Sequence, residues 1–82
     1  MIYLTLAKTI SDRILNLCDE NKITLNKLGT ISGITQSTLN NIKNNRRHPT
    51  ISTIKKICDG LEITLADFFD TEEFNTLEQE IK

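Results

Sequence analysis

The stretch that decides the fold lies at residues 24–49 and reads TLNKLGTISGITQSTLNNIKNNRRHP. Thr24 and Thr35 lie where helix N-caps are expected, because a threonine hydroxyl accepts a hydrogen bond from an amide of the first helical turn. Gly33 lies between the two helical patterns, where a glycine favours a turn. The stretch therefore predicts two short helices joined by a glycine turn, and a basic loop that follows them at once.

The second of these helices, predicted at residues 35–45, has an apolar side and a polar side. Leu39 and Ile42 lie three positions apart and mark the buried side. The polar side carries amides and hydroxyls in place of Glu and Lys, although Asn is a poor helix former. Its residues are Gln36, Ser37, Asn40, Asn41 and Asn44. Such a face, with Arg46 and Arg47 just beyond it, suits contact with base edges in a DNA major groove; the alternative is an ordinary solvated face.

Three further helices are predicted around this pair, which gives an all-α fold of five helices. The segment Thr9–Asp12 resembles a capping box and opens a helix that runs to about Asn21. Thr50 caps a fourth helix, and Gly60 is the residue expected to end it. A second capping box at Thr64–Asp67 opens a short fifth helix. The helix-turn-helix domain is therefore expected at residues 9–70.

Two interpretations stay open at each end of the chain. In the extension at residues 1–8, alternating apolar residues fit either a strand or a continuation of the first helix. In the acidic segment at residues 71–82, a short sixth helix can follow a cap at residues 70–73. Its apolar stripe would either fold back on the core or meet its copy in a second chain. The members of that stripe are Phe74, Leu77 and Ile81.

The net charge of −1 is the average of two opposite regions. Residues 1–57 hold nine Lys and Arg against three acids, a net charge of +6. Residues 58–82 hold one Lys against eight acids, a net charge of −7. Alone, such asymmetry fits an ordinary solvated surface with uneven charge. Beside the two-helix motif, it favours a basic part that faces phosphate and an acidic end that faces away from it.

Several other classes of protein are disfavoured by the composition. No run of 18 apolar residues and no signal-peptide pattern occur, so we expect a cytoplasmic, nucleoid-associated protein. Cys18 and Cys58 lie in apolar helical stripes without CxxC spacing, which favours reduced core thiols over a disulfide or a zinc site. No nucleophile triad or phosphate-binding glycine loop accompanies the acids. We therefore expect no enzyme, no metal and no cofactor.

The chain resembles the Xre/Cro, lambda-repressor-like helix-turn-helix family between Ile10 and Phe69. The residues that carry the resemblance are Ile23-Thr24, Leu28-Gly29, Ser32-Gly33-Ile34-Thr35, Ser37-Thr38-Leu39, Ile42, Arg46-Arg47-His48-Pro49-Thr50, Ile57, Leu61 and Leu65. Members of that family are typically five-helix DNA-binding domains that act as homodimers on palindromic operators. The resemblance implies a transcriptional regulator, most often a repressor, whose partner is double-stranded DNA.

By that resemblance the site residues fall into two groups. Base edges would be contacted from the third helix by Gln36, Ser37, Asn40 and Asn41. Phosphates would be held by Thr24, Thr35, Lys43, Asn44, Arg46 and Arg47. Thr24 belongs to the second group because free backbone N–H groups at the start of a helix favour an anion.

The chain departs from the family pattern at several places, of which Asn45 in place of the common glycine is a mild one. Leu25 replaces a Gln that often supports the base-reading Gln, so that contact is lost. Gly29 replaces the usual Ala, which still allows close packing but weakens the helix. Cys18 and Lys43 stand where the family frequently pairs an Arg with a Glu. Because both charges have changed together, no buried charge is left unpaired, and Lys43 is free to point toward phosphate.

A hypothesis from a different class is a protein-interaction module, such as an antitoxin or an adaptor. It would use the acidic C-terminal segment and its apolar stripe to bind a protein partner. The two roles can coexist in one chain.

Overall fold

The computed structural model describes residues 5–81, and this part of the chain is helical, with no strand. Its helices are α1 (Leu6–Glu20), α2 (Leu25–Ser32), α3 (Gln36–Lys43), α4 (Ile51–Leu61), α5 (Leu65–Phe69) and α6 (Glu72–Asn75). The predicted all-α fold and its short sixth helix are confirmed. Within residues 5–81, no helix has the length and apolar character needed to cross a membrane.

Threonine begins every helix in the described part of the chain. In each case the N-cap hydroxyl accepts a hydrogen bond from the backbone N–H three residues later. The caps are Thr5, Thr24, Thr35, Thr50, Thr64 and Thr71. The capping box predicted at Thr64–Asp67 is also present. The helix starts follow from local chemistry that the sequence displays.

The start of α1 differs from the prediction. The helix is capped by Thr5, four residues before the expected cap, and Thr9 lies inside the helix on its buried side. The hydroxyl of Thr9 donates to the backbone O of Thr5 at 2.9 Å. Thr9 therefore has a hydrogen-bond partner inside the helix and does not act as an N-cap. Of the two interpretations of the N-terminal extension, the helical one is confirmed from Leu6 onward. Residues 1–4 lie outside the described residues.

Gly60 was expected to end α4, and this was wrong. The helix continues to Leu61, and Glu62 forms its C-cap in the left-handed conformation with φ 60°. Gly60 instead lies where α4 crosses α2. A side chain there would overlap the hydroxyl of Ser32 and would lie 3.2 Å from the backbone O of Ile31. The glycine therefore permits a close approach of two helices rather than a turn.

The core is built from side chains of α1, α2, α3, α4 and α5. Both cysteines are buried in it as free thiols, as predicted. Burial, together with the neighbouring Asp19 and Asp59 carboxylates, raises the pKa of the Cys18 and Cys58 thiols respectively. The buried apolar side chains are Ile10, Ile14, Leu17, Cys18, Leu28, Leu39, Ile42, Ile54, Ile57, Cys58 and Phe68.

The acidic end folds onto this core through an aromatic cluster. Phe68 is fully buried, and its ring centroid lies 4.9 Å from that of Phe69 and 6.1 Å from that of Phe74. Because α6 ends at Asn75, the predicted helical stripe does not extend to the C-terminus. Phe74 folds back on the core, whereas Ile81 is 82% exposed.

Candidate nucleic-acid interface

Helix α3 is held in place from its buried side and from both ends. Leu39 and Ile42 are 1% and 3% exposed and anchor the helix in the core. At its start, Gly33 ends α2 in the left-handed conformation with φ 68°, and the hydroxyl of Thr35 caps α3. At its end, the hydroxyl of Ser11 in α1 donates to the backbone O of Lys43 at 3.2 Å. The helix is therefore a rigid support for its outer side chains.

The outer side of α3 carries its polar side chains toward solvent. Ser37, Asn40 and Asn44 are exposed, and their spacing of three and four residues places them on one face. Asn41 and Gln36 flank this face and are half-buried. The structure therefore brings all five predicted polar residues to one side of the domain, which the core does not cover.

The side chain of Gln36 has a partner that the sequence did not reveal. Its Nε2 donates to the backbone O of Asn26 in α2 at 3.2 Å. The amide lies over Gly29, where a side chain would overlap it. The signal in the sequence was the glycine itself, at a place where the family usually has Ala.

The loop after α3 is shaped by backbone hydrogen bonds. Asn45, just beyond the end of α3, has φ 61°, a left-handed conformation that Asn tolerates better than most residues other than glycine. Its N–H donates to the backbone O of Ile42 at 3.0 Å, and the N–H of Arg46 donates to the backbone O of Asn41 at 2.9 Å. This arrangement closes the helix end and places Arg46 and Arg47 immediately beyond it, both exposed.

The basic side chains at this surface have no ion-pair partner in the described part of the chain. Among residues 5–81, neither Lys43 nor the two loop arginines forms an ion pair; the ion pairs there join Lys8 to Asp12 and Lys55 to Asp59. No acid occurs anywhere between Glu20 and Asp59, a stretch that holds seven Lys and Arg. The field around α3 is therefore positive, and its cations are available to an anion.

The start of α2 adds to the same positive region. Thr24 is exposed, and its hydroxyl accepts from the N–H of Lys27 at 3.0 Å. Leu25, at the place where the family often has Gln, is half-buried and packs against the core. The predicted loss of a polar contact there is matched by a gain of apolar packing.

A groove lined by α1 and the start of α6 has a different chemistry. An open groove of about 360 Å³ lies between α1 and the segment that begins α6. Its charged lining is mainly acidic, from Asp12, Asp19, Glu20 and Glu73, with Arg13 as the cation. Within the described residues, no three His, Cys, Asp or Glu side chains lie close enough to hold a metal ion. This groove repels phosphate and does not extend the basic surface.

Comparison with known proteins agrees with this geometry. The family model of the Cro/C1-type HTH DNA-binding domain matches residues 13–73. The crystal structure of the prophage Lp1 protein 11 matches with a TM-score of 0.80 and 35% sequence identity, covering 89% of this chain and 97% of that chain. None of the curated proteins matches the chain. The resemblance predicted from the sequence is confirmed.

Proposed function

We propose that this chain, which belongs to the Cro/C1-type helix-turn-helix DNA-binding family, is a sequence-specific regulator of transcription that represses its target. Helix α3 enters the major groove, with Gln36, Ser37, Asn40 and Asn41 toward the base edges. The flanking side chains and helix starts hold the DNA backbone. They are Thr24, Thr35, Lys43, Asn44, Arg46 and Arg47.

The observation that carries this proposal is an amide-rich face that the core leaves uncovered, next to cations that have no ion-pair partner within residues 5–81. Amides and hydroxyls are the groups that read donor and acceptor patterns in the major groove. Unpaired Lys and Arg supply the attraction to phosphate, which dominates affinity. The acidic groove is lined by residues of α1 together with Thr71 and Glu73, and its charge would repel DNA.

In this proposal the protein acts as a homodimer in the cytoplasm. Two copies of α3 would lie about 34 Å apart, one turn of DNA, so the operator is a palindrome. The protein is not an enzyme and uses neither cofactor nor metal. Its role is binding, and repression follows when the bound dimer excludes other proteins from the same DNA.

Selection of bound DNA from a random pool, at two salt concentrations, tests the proposal. We expect enrichment of a palindrome and a steep loss of affinity at the higher salt, because phosphate contacts release counterions. Gln36→Ala should relax the preference at one position in each half-site, by about 1–3 kcal/mol of discrimination. Absence of any enriched sequence in the wild-type pool would contradict sequence-specific binding.

A second candidate function is a protein-interaction module at the acidic end. The observation that favours it is Ile81, a large apolar side chain that is 82% exposed among acids. Phe74 is engaged with the core, so only residues beyond α6 remain for such a partner. Deletion of residues 77–82 separates the two candidates. It should leave DNA selection intact if the chain is a regulator, and should abolish capture of a protein partner if it is an antitoxin or an adaptor.

A further inference from the structure

The amide of Gln36 has one end fixed against α2 and the other end available. Its Nε2 donates to the backbone O of Asn26 at 3.2 Å. Within residues 5–81, its Oε1 accepts no hydrogen bond, and the side chain is half-buried rather than enclosed. The side chain is therefore anchored by Nε2 before any DNA binds, and its Oε1 remains available as a hydrogen-bond acceptor.

Gly29 makes this anchoring possible. A Cβ at that position would overlap Gln36 Nε2, and it would lie 2.9 Å from the backbone O of Ile34 and 3.1 Å from Leu39 Cδ1. The Gln36 amide is the end of a flexible side chain, so an added methyl would displace it, and the carbonyl of Ile34 would have to shift slightly as well. The missing side chain leaves the space in which the amide reaches the α2 backbone.

The anchor also fixes which end of the amide points outward. A carboxamide has a donor end and an acceptor end, and rotation by 180° exchanges them. The backbone O of Asn26 is an acceptor, so rotation would set Gln36 Oε1 against another acceptor and lose the bond. The orientation with Nε2 inward leaves two groups for DNA: Oε1 and the second N–H of Nε2.

We propose that Gly29 is a positioning residue that presets Gln36 to select adenine against guanine, an inference that rests on the proposed DNA-binding function. In the major groove adenine presents the N6 donor beside the N7 acceptor, whereas guanine presents two acceptors, O6 and N7. The preset amide matches adenine, because Oε1 accepts from N6 and the second N–H donates to N7. A freely rotating amide can instead turn both N–H groups toward guanine. Gly29 thus contributes to specificity without touching DNA.

A double-mutant cycle in the DNA selection tests the assignment. The position read by Gln36 is the one that Gln36→Ala relaxes, and the readout is the adenine-to-guanine ratio there. We expect the wild type to favour adenine by about tenfold or more. Gly29→Ala should lower that ratio several-fold, and should have no further effect on it in the Gln36→Ala background. Gly60→Ala is the matched control, since it also crowds a helix contact but lies away from Gln36; its ratio should equal that of the wild type.

Three outcomes overturn the assignment while leaving the proposed function in place. The first is selection of guanine at the Gln36-dependent position. The second is a wild-type ratio for Gly29→Ala, and the third is a Gly29→Ala effect that persists without Gln36. A wild-type pool without any enriched sequence would instead overturn the proposed function and this inference together.

The anchor itself is measurable in the free wild-type protein, which removes any dependence on how well Gly29→Ala folds. The chain has a second glutamine, Gln79, which is exposed near the C-terminus. NMR order parameters of the two side-chain amides should differ, with Gln36 restricted and Gln79 mobile on the ps–ns timescale. Equal mobility of the two amides would overturn the preset orientation.

Discussion

Between residues 21 and 58 the chain carries seven basic side chains and no acid, whereas residues 59–81 carry eight acids and no base. Both regions begin their helices with threonine caps and share one core. The two regions differ in how firmly contacts within the protein hold their remaining groups. Around α3 the exposed amides of Asn40 and Asn44 and the cations face solvent, and these cations have no ion-pair partner in the described part of the chain. At the acidic end, hydrogen bonds to the backbone and contacts between aromatic rings hold the chain against the core.

The ties at the acidic end are specific. Arg13 of α1 donates from Nε to the backbone O of Phe68 and from Nη2 to the backbone O of Asp67, each at 2.8 Å. These bonds satisfy carbonyls at the end of α5, where a helix lacks internal partners. The difference teaches that one region is built for stability and the other is left available for a ligand. Substitutions in the two regions should therefore affect different measurements.

The largest expected effect is on stability, from Phe68→Ala. Truncation of this fully buried ring should cost about 3–5 kcal/mol of unfolding free energy, because it leaves a cavity in the core. Chemical denaturation measures the loss. Below the lowered melting temperature, the base preference in DNA selection should match that of the wild type. A changed base preference in folded Phe68→Ala would show that the acidic region also affects DNA recognition, and would contradict the proposed division between the two regions.

The next largest effect is on binding, from Arg46→Ala combined with Arg47→Ala. The pair should weaken binding to all DNA sequences alike, on the order of a hundredfold at low salt, because two charge-assisted phosphate contacts are lost. The slope of log affinity against log salt should become shallower by about 2. Thermal unfolding should be unchanged, since both side chains are exposed. Lys8→Ala, at a cation paired with Asp12 on α1, is the control and should leave the slope as it is.

A smaller loss of stability is expected from Arg13→Gln. Removal of the two hydrogen bonds to the end of α5 should cost about 2 kcal/mol, since a charged donor to a carbonyl contributes more than a neutral one. Arg13→Lys keeps the charge but not the fork of donors, so it should recover only part of the loss. Full recovery by Lys in a denaturation experiment would show that charge, rather than geometry, holds α5.

The smallest expected effect concerns the thiols in the shared core. Burial raises the pKa of Cys18 and Cys58, so both are neutral near pH 8 and should react slowly with an alkylating agent in the folded protein. A raised folded-state pKa contributes stability that is present below the unfolded-state pKa and is lost as the pH rises through the folded-state pKa. We therefore expect a mild decline of stability at alkaline pH, which Cys58→Ala should reduce. Rapid labelling of the two cysteines in native protein at pH 8 would contradict their burial in the core.

The sequence predicted the features that depend on neighbours along the chain. The caps at Thr24, Thr35, Thr50 and Thr64 were confirmed because a cap needs only its own hydroxyl and an amide three residues away. The start of α1 was misplaced because Thr5 and Thr9 offer the same local chemistry. Their difference lies in burial, which the rest of the fold determines.

Contacts between helices could not be predicted from local sequence patterns. Gly60 looked like a helix end, and only its approach to Ser32 shows why a side chain is missing there. The hydrogen bond from Gln36 to the backbone of Asn26 likewise joins residues ten positions apart. The site residues on α3 were predicted as a group by their chemistry and by the family resemblance, and their individual DNA contacts remain predictions.

The central claim is that the exposed face of α3 and the loop after it form the DNA-binding surface. The most direct test is titration of isotope-labelled protein with the selected operator, followed by NMR of the backbone amides. We predict that the shifts cluster on residues 24–50, with the largest at Ser37, Asn40 and Arg46, and that residues 59–81 stay nearly unchanged. Shifts concentrated at the acidic end, with α3 unaffected, would contradict the account.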